Sequence, residues 1–215
     1  ARPATPEDGE IRIESFLRDL TQSARDGDIG PAIGRDRETM EVLQVLTRHG
    51  KNNVILVGEP GVGKTKIVEA LACRIDAGDF DSMLAGKRIL ELNLAAMMSG
   101  TKYRGVLEEK LLKLINDLEE KKDTILFIDE IHLIMGAGAT EDGSMDIANI
   151  LKPVLGRGGI LCIGATTADE FQQFLAKDPA IERRFHVIRV QPLSPRATLE
   201  VLDQLRPHLQ THHRL

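Results

Sequence analysis

Val54-Ile55-Leu56-Val57-Gly58-Glu59-Pro60-Gly61-Val62-Gly63-Lys64-Thr65 decides how the chain folds. Four branched apolar residues in succession read as a strand covered on both faces. The turn after them satisfies G-x-x-x-x-G-K-[ST] and opens at once into Ile67, Leu71 and Ile75, the stripe of a helix. Strand, glycine turn and helix in that order form a phosphate cradle. Glu59, Pro60, Gly61, Val62 and Gly63 form the loop around the phosphates, the glycines letting its backbone N–H groups turn inward, and the helix N-terminus adds its positive end. Lys64 then reaches the β and γ phosphates, and the Thr65 hydroxyl ligates Mg²⁺. The full pattern in its strand-loop-helix setting is a strong signal for a nucleotide such as ATP, and a weak one for what the nucleotide does.

Further apolar runs lie at Ile89 to Leu94, Thr124 to Ile128, Gly159 to Ala165 and His186 to Val190. Helical periodicity separates them, with Leu107, Leu111, Leu114, Ile115 and Leu118 as the second stripe. Alternating strands and helices predict βαβ units: an α/β three-layer P-loop sandwich with a five-stranded, mainly parallel sheet. Ligands belong at the carboxyl ends of such strands. Upstream, Ile11 to Arg25 reads as one short helix stopped by Asp26-Gly27-Asp28-Ile29-Gly30-Pro31, and Glu38 to His49 as a second. Residues 1–10 read as a linker and 11–215 as one domain.

Thr124-Ile125-Leu126-Phe127-Ile128-Asp129-Glu130 carries two acids out of an apolar strand to the sheet edge where the phosphate loop lies. Unpaired burial would be costly, and Mg²⁺ removes that objection for Asp129. Glu130 is placed to orient or deprotonate an attacking water. Thr166 and Thr167 end another strand in the same way, where a hydroxyl either senses the γ-phosphate or is an ordinary strand threonine. Arg183 and Arg184, just before the last strand, either stabilise charge on a transferring phosphoryl group or pair with Asp178 or Glu182 at the surface, and the residues alone favour the second. Tyr103, the only tyrosine, sits in Gly100-Thr101-Lys102-Tyr103-Arg104-Gly105, an exposed loop able to grip a polymer or fold back on the domain. Met135 to Gly143 is a second flexible loop.

The composition excludes several classes. With 28 basic against 33 acidic residues the net charge is −5, which argues against neutralising nucleic-acid phosphates as the main task. At 42% hydrophobic and 28% charged the chain should fold. No membrane span or signal peptide is legible, so a cytoplasmic protein is expected. Cys73 and Cys162 lie far apart in apolar segments and read as small buried hydrophobes. His208, His212 and His213 read as a solvated helix end.

Together the chain resembles the first ATPase domain of the Clp-type AAA+ unfoldases, the group of ClpA, ClpB, ClpC and ClpV, from about Leu17 to the C-terminus. The resemblance rests on Ile33-Gly34-Arg35-Asp36, Gly58 to Thr65, Lys102-Tyr103-Arg104-Gly105, Ile128-Asp129-Glu130-Ile131-His132, Ile163-Gly164-Ala165-Thr166-Thr167 and Glu182-Arg183-Arg184-Phe185. One departure is Val54, where that group usually has proline; valine suits a strand start. The resemblance implies a hexamer with ATP between neighbours and Ile33 and Gly34 against the adenine. It further implies Thr166 as sensor 1, Arg183 and Arg184 as fingers acting in trans, and Tyr103 lining a central pore that threads unfolded polypeptide. It also implies that 11–215 is the large subdomain without its helical lid, and hence a mainly monomeric piece that binds nucleotide weakly and hydrolyses it poorly. The alternatives are an AAA+ switch that remodels nucleic-acid machinery, which the charge and the Tyr103 loop disfavour, and a non-catalytic assembly module.

Overall fold

A computed structural model describes residues 13–30, 32–79, 84–99, 104–133, 151, 153–155, 159–176 and 179–213. A 3₁₀ turn, Ile13–Phe16, leads into strand β1 (Leu17–Asp19), then α1 (Leu20–Arg25), α2 (Asp36–Leu46), β2 (Asn53–Val57) and α3 (Lys64–Ala77). Next come β3 (Arg88–Leu92), α4 (Leu94–Ser99), α5 (Arg104–Lys121), β4 (Thr124–Ile128) and β5 (Leu161–Thr166). Helix α6 (Ala168–Glu170) runs into a π-helical segment, Phe171–Leu175, followed by α7 (Pro179–Arg184), β6 (Phe185–Arg189) and α8 (Pro195–His213).

The sheet order is β1-β3-β4-β5-β2-β6. All pairs are parallel except β1 with β3, where Leu17 faces Leu92 and Asp19 faces Leu90. The sheet therefore has six strands rather than the expected five. The extra one comes from the stretch expected to be a single helix, Ile11 to Arg25, which divides into turn, strand and helix. The edge ladder to β3 wins over local helix formation at Leu17–Asp19, and Asp19 then caps α1 by accepting from the Gln22 N–H at 2.9 Å. The run expected from Gly159 begins at Leu161, and the run expected from His186 begins at Phe185.

Strand alternation builds the three layers. Ile55 and Val57 of β2 join Leu90, Leu92, Leu126 and Ile128 on one face, packed under Leu111, Ile115 and Leu118 of α5. Val54 and Leu56 join Ile89, Phe127 and Ile163 on the other, under Val42 and Val45 of α2 and Ile67, Leu71 and Ile75 of α3. Buried on both sides, the central strands read as unbroken apolar runs. Truncating Leu56 to alanine in such a core costs about 2–5 kcal/mol.

Candidate functional site

The polar ends of four parallel strands converge. Val57 delivers the chain to Gly58, whose N–H donates to the carbonyl of Thr166 at 3.2 Å, so the end of β5 holds the first turn of the loop. Gly61 (φ +77°) and Gly63 (φ +96°) adopt left-handed conformations, which lets the loop reverse and point its N–H groups inward at the start of α3. Val190 N–H donates to Val57 O at 2.8 Å, binding the loop's root to the segment that leaves β6.

A cavity of about 630 Å³ opens in front of this loop. It is lined by Pro60, Gly61, Gly63, Lys64 and Thr65, by Asp129 and Glu130 after β4, and by Thr166 at the end of β5 with Thr167 and Glu170 beyond it. The end of β3 and the start of α4, from Glu91 to Ala95, line another side. The Lys64 ammonium donates to the carbonyls of Gly58 at 2.7 Å and Glu59 at 3.0 Å. Across the gap Thr65 Oγ1 donates to Asp129 Oδ2 at 3.2 Å, and the other oxygen of Asp129 accepts from the Glu130 N–H at 3.0 Å. Thr65 and Asp129 thus present two hard oxygens side by side, a donor set that suits a small divalent cation completing its shell with water and phosphate. Among the described residues no cluster of three or more His, Cys, Asp or Glu could hold a metal.

Glu130 has a left-handed backbone, φ +53°, a conformation that costs a residue with a Cβ about 1–2 kcal/mol. The fully buried Ile131 anchors it, its N–H donating to Ala165 O at 3.0 Å. This turn leaves the Glu130 side chain exposed at the cavity rim, free to meet a water.

Thr166 is buried and donates its hydroxyl to Glu170 Oε2 at 3.0 Å. His132 Nδ1 lies 3.3 Å from that hydroxyl and 3.2 Å from the same carboxylate oxygen, while its ring stacks on Phe174. Glu170 also closes a capping box with Thr167. Partial burial pushes its carboxyl up, but the Thr167 N–H, the Thr167 and Thr166 hydroxyls and His132 outweigh this and hold it below the usual glutamate range. Glu91 goes the other way: burial raises it against the opposing Arg18 guanidinium, and the Asp129 and Glu69 carboxylates reinforce the rise. Both acids escaped sequence reading, although Thr167-Ala168-Asp169-Glu170 carries the capping-box pattern that could have found Glu170.

Ile33 and Gly34 do not line the cavity; Gly34 (φ +73°) packs behind the loop against the Leu193 side chain. Glu59 and Val62 do not line the cavity; their carbonyls accept from Lys64 and Arg35. Arg183 is exposed and Arg184 half-buried at the end of α7, outside this cavity. Tyr103, the Met135 to Gly143 loop, Asp178 and the side chains of Glu182, His208, His212 and His213 lie outside the described residues. Cys162 is buried and Cys73 half-buried, both thiols raised by burial, which fits small hydrophobes. Among the described residues no helix is long and apolar enough to cross a membrane.

The family described as "ATPase family associated with various cellular activities (AAA)" matches residues 54–193. The chaperone protein ClpB of Propionibacterium freudenreichii subsp. shermanii is 48% identical over 99% of the chain, which covers 24% of that relative. The Clp protease ATP-binding subunit ClpC of Staphylococcus saprophyticus is 47% identical over 94% of the chain, covering 25% of that relative. The chain spans about a quarter of the length of these curated relatives. Among solved structures, the S. cerevisiae Hsp104-ADP complex superposes with a TM-score of 0.83 at 42% identity, over 95% of this chain and 35% of that one. Hsp104 with ATPγS and FITC casein, in its closed state, superposes with a TM-score of 0.82 at 43% identity, over 94% of this chain and 34% of that one.

Proposed function

The chain belongs to the AAA family of ATPases and stands there with the Clp-type proteins, and from that premise we propose that it binds and hydrolyses ATP as one module of a ring that pulls on unfolded polypeptide. The observation that carries this reading is the Thr65–Asp129 hydrogen bond, which brings the phosphate loop and the acidic strand end into one cavity with Glu130 at its rim.

In this reading the N–H groups from Gly61 to Thr65 and the Lys64 ammonium hold the triphosphate, Lys64 exchanging its carbonyl partners for phosphate oxygens. Thr65 and Asp129 hold Mg²⁺, which when bound offsets charge on the phosphate oxygens. Glu130 orients a water and takes its proton as the water oxygen attacks the γ-phosphorus, while the bond to the ADP oxygen breaks. Thr166 fixes the opposite side, its hydroxyl positioned by Glu170 and His132. Ile33 and Gly34 receive the adenine behind the loop.

Arg183 and Arg184, lying away from their own chain's cavity, act on a neighbour's nucleotide in the assembled hexamer. Tyr103 contacts the polypeptide. The Hsp104 structures carry ADP, ATPγS and casein, the ligand classes this reading assigns to the chain. Calorimetry with ATPγS, with and without Mg²⁺, tests the reading: saturable heat that weakens on chelation supports it, and no heat removes it.

A further inference from the structure

Arg35 is almost fully buried, at 4% exposure, yet no catalytic step uses it. Its guanidinium sits where three segments meet. Nη2 donates to Val62 O in the phosphate loop at 2.5 Å and to Gln191 O beyond β6 at 2.9 Å, while Nη1 pairs with Glu38 at 2.8 Å. A buried guanidinium is tolerated only when its donors are met, and here one nitrogen joins two carbonyls 129 residues apart in sequence (191 − 62). The arginine is itself fixed, since its own carbonyl accepts from both the N–H and the hydroxyl of Thr39 at 2.9 and 2.8 Å.

The Gln191 side of this joint is stiff. Gln191-Pro192-Leu193-Ser194-Pro195 contains two prolines with fixed φ and runs directly into α8, with Leu193 packed beside Gly34. A shift of the Val62 carbonyl, in the loop whose N–H groups must close on phosphate, pulls on the same nitrogen that holds the root of that strap. Val62 contributes nothing to the cavity wall, so its carbonyl is available for this role.

We propose that Arg35 is a positioning residue that couples occupancy of the phosphate loop to the placement of α8, through its shared hydrogen bonds to Val62 and Gln191. This rests on the nucleotide-binding reading above, and the experiment separates the two. Amide exchange at Leu193, Ser194 and the first turn of α8 is measured with and without saturating Mg-ATPγS, in the unchanged chain and in Arg35→Lys and Arg35→Met, with calorimetry on each and thermal melts to establish folding. In the unchanged chain nucleotide alters exchange there by about tenfold, an ordinary coupling between sites. Arg35→Met still binds but loses that response, and Arg35→Lys, a single point of charge without the fork, restores part of it.

A full response in folded Arg35→Met means the nucleotide touches the strap directly and overturns the coupling. So does an unchanged chain that binds without any response. Should Arg35→Met fail to fold, Glu38→Gln, which frees the other arm of the guanidinium, must weaken the response, and an undiminished one overturns the coupling. No heat on titrating the unchanged chain overturns the nucleotide-binding reading itself, and the coupling with it.

Discussion

Thr65 Oγ1 and Asp129 Oδ2 stand 3.2 Å apart, joined across the gap between the start of α3 and the end of β4. A divalent cation held by this pair would draw on both side chains, so a change in either should be felt through the other. Asp129→Asn keeps the size and removes the charge; calorimetry should show ATPγS affinity falling by about tenfold or more in Mg²⁺, and losing most of its dependence on the cation.

The Glu130 side chain is exposed, and the bonds that hold its turn, to Asp129 and from the Leu133 N–H, are made by backbone atoms on Glu130. Glu130→Gln should therefore bind ATP within a few-fold of the unchanged protein while hydrolysis in the assembled ring falls by about 10²-fold or more. Parallel binding and phosphate-release assays check this, and hydrolysis at the original rate removes Glu130 from the mechanism.

Arg183 lies outside the cavity of its own chain. Arg183→Ala should leave nucleotide affinity of the isolated chain unchanged and lower hydrolysis by the assembled ring by about 10³-fold or more, the effect of a finger supplied by a neighbour. An equal loss of affinity in the isolated chain would place the arginine on the wrong side of the interface.

A Cβ on Gly58 would collide with the Val190 carbonyl oxygen, backbone that is itself tied to Val57 at 2.8 Å and cannot retreat cheaply. Gly58→Ala should cost about 1–3 kcal/mol in urea unfolding, as overpacking does, and weaken nucleotide binding as the loop's root moves.

Glu170 has a folded pKa below its unfolded one, so its contribution to stability is fully present above the ordinary carboxyl range and disappears as pH falls through the folded value. Unfolding midpoints followed from about pH 6 down to about pH 3, across the glutamate range, should fall more steeply for the unchanged protein than for Glu170→Gln. Identical slopes would show that the Thr166–Glu170 contact carries no such linkage.

The phosphate loop was legible because its chemistry is local: Gly61, Gly63, Lys64 and Thr65 declare a turn and a helix start without reference to anything distant. The acids at the end of β4 were legible for the same reason, an apolar run stopping in carboxylates. Leu17–Asp19 was not, because three residues carry no period of their own and become a strand only when β3 offers a ladder. Arg35 belonged to a recognisable motif, yet its part emerged only in three dimensions, where Val62 and Gln191 turn their carbonyls toward it. Glu170 left the one overlooked local trace, three residues after Thr167.

Strand β5 enters the sheet between β4 and β2, both of which precede it in the chain. Until a ribosome has released everything through Thr166, the lysine loop and the paired acids have no common neighbour to hold them face to face. A nascent chain arrested before that point would leave one edge of β4 and both edges of β2 unpaired and have no means of gripping a nucleotide.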